Sequence, residues 1–139
     1  MKYTFEIELN GEKTTLLFGN WTCGQLVREG FNITQFTPEI FENPYLLAPF
    51  VFYLGACNQK GYEEKNLSSS ARDYFNEADF QIFCEDADKE VIVNGVKKFY
   101  RSVFGDVFMD EVERVTKEDD TSDDVSSDDK KKVTTQEKN

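Results

Sequence analysis

With 139 residues, 39% of them hydrophobic and including 13 Phe and 6 Tyr, the chain has material for one well-filled core and little beyond it. A net charge of −11 and an isoelectric point near 4.5 set an exposed surface against phosphate, so nucleic acid and anionic membrane are disfavoured as partners and a protein partner is favoured. Histidine is absent, which excludes any Ser/Cys–His catalytic arrangement, and Cys23, Cys57 and Cys84 stand too far apart for a zinc knuckle.

The N-terminal stretch "MKYTFEIELNG" alternates instead of running apolar, as a strand does and a signal peptide does not. Tyr3, Phe5, Ile7 and Leu9 share one face, and Asn10-Gly11 supplies a two-residue hairpin turn. That turn sets Leu9 opposite Glu12, Ile7 opposite Thr14, Phe5 opposite Leu16 and Tyr3 opposite Phe18, in a hairpin over residues 2–18. Gly19 ends the second strand. In "NWTCGQLVREGF", Thr22 and Gln25 have the spacing of a capping box, Leu26 and Val27 are expected to face inward, and Gly30 to stop the helix.

"TPEIFE" reads as a helical turn capped by Thr37 and opened by Pro38. Asn43 and Pro44 repeat the device ahead of "YLLAPFVFYLGACN", which is apolar around nearly its whole circumference and belongs at the centre of a domain or against another protein. Pro49 is expected to kink this helix or shift its start, since it removes a backbone donor. This apolar run is too short to span a bilayer. "NQKGYEEKN" reads as loop. "SSSARDYFNEADFQIFCED" reads as two short helices capped near Ser69 or Ser70 and at Asn76, with Phe75, Phe80 and Phe83 as buried anchors.

"EVIVNGVKKFY" presents a choice, because Asn94-Gly95 between β-branched runs is also a hairpin signal. Ile92, Val96, Phe99, Tyr100, Val103 and Phe104 follow helical spacing, and the helix is preferred. Gly95 then marks either a close approach of another backbone or a local bend. Gly105 stops or interrupts the helix before "DVFMDEVERV", which keeps Val107, Phe108, Val112 and Val115 on a stripe. From Lys117 the sequence has no aromatic residue and two valines, too little apolar surface to offset chain entropy. The resulting expectation is an α+β protein: a β-hairpin, a mostly helical bundle, one globular domain over residues 1–116, and a disordered acidic tail over 117–139.

No phosphate-binding glycine loop or dinucleotide fingerprint occurs. The acids of "EDAD", Glu85 to Asp88, lack the glycine and glutamate positions of an EF-hand loop and read as helix-terminal charge. No cofactor, metal or small-molecule substrate is expected, and no catalytic residue is assigned.

The order of elements carries more information. "KYTFEIELNGEKTTLLFGNWTCGQLV", then "NPYLLAPFVFYLGACNQ", "ARDYFNEADF" and "GVKKFYRSVFG" resemble the arrangement in tail assembly chaperones of long-tailed bacteriophages, over residues 1–105. Those proteins also open with a short hairpin, an "FG"-like turn and a helix. The resemblance implies a non-catalytic protein in the cytoplasm of an infected bacterium, which binds the long helical tape measure protein and self-associates. It also implies a longer form made by frameshifting, for which Lys130 to Lys132 would suit a slippery codon run. Under this reading the pool of partner contacts is Trp21, Phe31, Phe36, Phe50, Phe52, Tyr53, Phe99 and Phe104, an aromatic set able to cover an apolar stripe by helix-in-groove binding. Two alternatives belong to other classes: an acidic decoy that mimics DNA at a basic host site, and a structural tail or connector component of the virion. The decoy requires charge spread along the folded body. Residues 1–109 hold 16 acids against 10 bases and residues 110–139 hold 11 against 6, so net charge is denser in the tail.

Overall fold

A computed structural model describes residues 3–31 and 44–125. The chain divides into two compact units, Met1–Gly105 and Asp106–Asn139. Where the sequence reading carried the globular part to residue 116, the division falls after Gly105.

The first unit opens with an antiparallel hairpin of β1 (Thr4–Leu9) and β2 (Glu12–Leu17). Its register pairs Phe5 with Leu16, Ile7 with Thr14 and Leu9 with Glu12, as the Asn-Gly turn requires. Both turn residues take positive φ, 52° at Asn10 and 80° at Gly11, which matches the right-handed strand twist. The Phe18 amide donates to the Tyr3 carbonyl at 2.9 Å, extending the pairing to the last apolar pair.

Helix α1 spans Asn20–Arg28 and follows the hairpin directly. Thr22 does not cap it: Gly19 is the cap, and Thr22 lies buried in the first turn with its hydroxyl donating to the Leu17 carbonyl at 3.3 Å. The capping-box expectation failed because a tertiary acceptor competed for the hydroxyl. Gly30 does end the helix, with its amide on the Val27 carbonyl and the Phe31 amide on the Leu26 carbonyl, a Schellman closure. Leu26 is buried, but Val27 is 53% exposed, so only one of the expected inward pair faces the core. The Thr37–Pro38 turn, the Asn43 cap and Phe36 lie outside the described residues.

A 3-10 turn at Pro44–Leu46 leads into α2, Ala48–Glu64, the central helix. Pro49 sits in its first turn, so the proline shifts the start instead of kinking the helix. Residues from Val51 to Asn58 are all buried. The segment 58–64, read as loop from its polarity, is helical to Glu64; Lys65 turns left-handed at φ 58° and the Asn66 amide returns to the Gly61 carbonyl at 2.8 Å. Exposed polar residues there form the solvent side of a helix already nucleated by the apolar run, as cooperativity favours.

Ser68 caps a 3-10 helix at Ser69–Tyr74, one residue earlier than expected, and Asn76 caps α3, Glu77–Asp86, by accepting from the Ala78 amide at 3.0 Å. Phe80 is fully buried, while Phe75 and Phe83 are half-buried. Helix α4 spans Lys89–Phe104, so the helical reading of "EVIVNGVKKFY" holds. Gly95 allows a close approach, though of side chains and not of backbone. A Cβ there would meet Phe52 Cζ at 2.3 Å and Phe5 Cε2 at 3.1 Å. Phe52 thus occupies the volume that any larger residue at 95 would claim.

The core is a packed set of rings and aliphatics beneath the hairpin. Phe18 meets Phe99 edge-on at 5.9 Å between centroids, and Phe52 lies 6.0 Å from Phe5 and 6.2 Å from Phe83. Asn58 ties the layers together: its amide donates to the Leu17 carbonyl at 2.8 Å and to the Thr22 hydroxyl at 3.1 Å. One buried polar group on α2 therefore fixes the junction between β2 and α1.

The second unit begins with α5, Asp106–Val125, in which Arg114 pairs with Glu111 one turn away. Its helix runs through residues 117–125, and residues 126–139 lie outside the described ones.

Candidate partner-binding surface

The aromatic residues expected to meet a partner separate into three environments. Phe52 and Phe99 have no exposed surface and Tyr53 has 7%, so these three build the core and present nothing to a partner. That corrects their place among the contact residues. The same residue type serves core and interface, and sequence spacing on a nearly all-apolar helix does not separate the two.

Phe31, Phe50 and Tyr53 come together. Phe31, 41% exposed, stacks on Phe50 at 6.1 Å and 22°, and Phe50 meets Tyr53 at 6.1 Å. Arg72 lies over the Phe50 ring at 5.4 Å and pairs with Glu29 at 2.9 Å, while its carbonyl accepts from the Tyr53 hydroxyl at 2.5 Å. Burial raises the Tyr53 hydroxyl above its ordinary value, so the phenol stays a donor. The Glu29 carboxylate raises Arg72 further and keeps it a cation. This cluster clamps the start of α2 to the end of α1, with one ring edge open to solvent.

Trp21 is half-buried, and its indole N–H is shielded from solvent without a hydrogen-bond partner among the described residues. Phe104 is half-buried and stacks on Tyr100 at 5.9 Å and 7°.

Sequence reasoning missed the exposed apolar side chains that are not part of these clusters. Leu46 is 87% exposed, Ile82 61%, Tyr62 54% and Tyr45 44%. Ile82 lies off the buried Phe80–Cys84 face, and an isoleucine off that face, on a row with Asp79 and Asp86, was the available signal. Grooves flank it on both sides. One, of about 340 Å³, lies between α3 and the hairpin turn and is lined by Glu8, Leu9, Asp79, Ile82, Phe83 and Asp86. The other, of about 390 Å³, is lined by Tyr45, Pro49, Gln81, Ile82, Cys84 and Glu85. A third groove of about 610 Å³, at the end of α2, has Tyr62 and Leu67 beside Glu63 and Lys65.

Among the described residues no three His, Cys, Asp or Glu side chains are grouped to hold a metal ion. Cys57 and Cys84 are buried and Cys23 half-buried, all three reduced. Burial pushes the Cys57 and Cys84 thiols up to about 11, the reverse of what a nucleophilic thiolate requires. No described helix is long and apolar enough to cross a membrane. Comparisons with protein-family models, curated proteins and solved structures gave no match to this chain.

Proposed function

We propose that the chain is a non-catalytic binding protein of the tail assembly chaperone type, which shelters an apolar, helical segment of the tape measure protein during phage tail assembly. The observation that carries this reading is the apolar surface left in solvent on a unit whose core is otherwise closed: Ile82 and Tyr45, which line one groove, and Leu46 next to Tyr45 in the 3-10 turn. Leaving them exposed has no benefit for folding, whereas a partner's apolar stripe would remove them from water at about 25 cal/mol per Å². Net charge of −11 keeps such a surface soluble before the client arrives. The arrangement of hairpin, short helix, central apolar helix and closing amphipathic helix supports the same assignment.

Co-expression with a tape measure protein tests it. The client should move from the insoluble to the soluble fraction and co-purify with this chain; a client that aggregates to the same extent with and without it overturns the assignment. Presence of the chain in purified mature particles would instead identify a structural tail component.

A further inference from the structure

Within the first unit, helix α3 combines apolar exposure with acidic charge beside a groove. Asp79, Ile82, Phe83 and Asp86 stand at i, i+3, i+4 and i+7, so they share one face, and that face looks into the groove closed on its far side by Glu8 and Leu9. Ile82 is the ridge between this groove and the one carrying Tyr45, Pro49 and Glu85. From Asp73 to Asp88 the chain holds six acids and no base. Lys13, the base on the facing hairpin, is taken up by Glu6 at 3.3 Å. The groove at Tyr62 is larger, but its rim mixes Glu63 with Lys65 and selects no sign of charge.

Resting on the reading of the chain as a binding protein, we infer that the Ile82 ridge with its two flanking grooves is the docking face, and that its occupant is an amphipathic helix whose apolar stripe is bordered by Lys or Arg. Side chains one turn apart on such a helix straddle Ile82, one row entering each groove, as ridges pack into grooves between helices. Basic residues bordering that stripe then meet Glu8, Asp79 and Asp86 on one side and Glu85 on the other. A second copy of this chain is a poor occupant, because its own Asp73–Asp88 stretch brings the same sign of charge.

The probe is a synthetic amphipathic helix of leucine and lysine, about four turns long, labelled for fluorescence anisotropy and titrated with the full-length protein. Ile82→Ser should weaken binding about tenfold or more, the loss typical of a central apolar contact. Asp79→Asn with Asp86→Asn should weaken it and flatten its salt dependence. Tyr62→Ser, on the other groove, should leave it unchanged, and circular dichroism of each variant should match the wild type. Equal binding by wild type and Ile82→Ser, or an equal loss in Tyr62→Ser, overturns the assignment, as does binding of a leucine–glutamate peptide with the same strength. A wild-type dimer dispersed by Ile82→Ser in sedimentation would also overturn it, by making a second copy the occupant. The general reading fails separately, through a client that this chain leaves insoluble; if wild type and Ile82→Ser protect that client equally, only the docking face is wrong.

Discussion

Gly95 shows how one missing methyl group can organise a core. Phe52 fills the space a Cβ at 95 would take, with Phe5 and Phe18 against the same ring, so the ring has little freedom to move away. Gly95→Ala should therefore destabilise the protein by about 1–3 kcal/mol despite the better helix propensity of alanine; the midpoint of urea unfolding reads this, and an unchanged or raised midpoint would contradict the packing described. Asn58 is the polar counterpart. Asn58→Leu removes two hydrogen bonds and leaves the Leu17 carbonyl without that donor, at a loss of about 1–3 kcal/mol by the same measurement. The buried thiols predict a pH effect with a definite sign. Cys57 and Cys84 rise from 9.0 to about 11 in the folded protein, so the unfolded chain releases their protons first as pH increases. Their contribution is fully present below pH 9.0 and is lost as pH climbs through about 11. Unfolding midpoints should fall between about pH 8 and about pH 10.5, and replacing both cysteines by alanine should flatten that fall.

At the scale of elements, legibility followed how strongly each segment was patterned. The hairpin could be read to its register because strand alternation and the Asn10-Gly11 turn agreed. The helix over "EVIVNGVKKFY" could be read because the stripe from Ile92 to Phe104 outlasted the Asn-Gly signal. Errors arose where a tertiary partner decided the outcome. Thr22 was drawn from capping to the Leu17 carbonyl, and the polar segment 58–64 stayed helical as an extension of α2. The candidate surface was the least legible part. Aromatic type pointed to Phe52 and Phe99, which the core takes, while Ile82 sits on a short helix with acids at both ends, where its place off the Phe80–Cys84 face was a weaker signal than aromatic type. Arg72 matters at this scale too. Its ion pair with Glu29 is partly exposed and is worth about 1 kcal/mol or less, but the same side chain covers Phe50. Arg72→Ala should consequently destabilise more than Glu29→Gln, through lost packing as well as lost charge, and equal unfolding midpoints for the two variants would contradict this.

For the molecule as a whole, the charge distribution and the exposed apolar residues give one account. Acids outnumber bases in both parts of the chain, so like charge opposes non-specific clustering of copies while Ile82, Tyr45 and Leu46 stay in water. Under the proposed reading, such a surface selects clients that are apolar and basic together. The direct test is to dilute an unfolded tape measure protein into buffer with increasing full-length chain and follow light scattering. Scattering should fall in proportion to added chain until the client is saturated, with Ile82→Ser requiring several-fold more protein for the same effect. Scattering that is indifferent to the chain at every ratio would contradict the account at its centre.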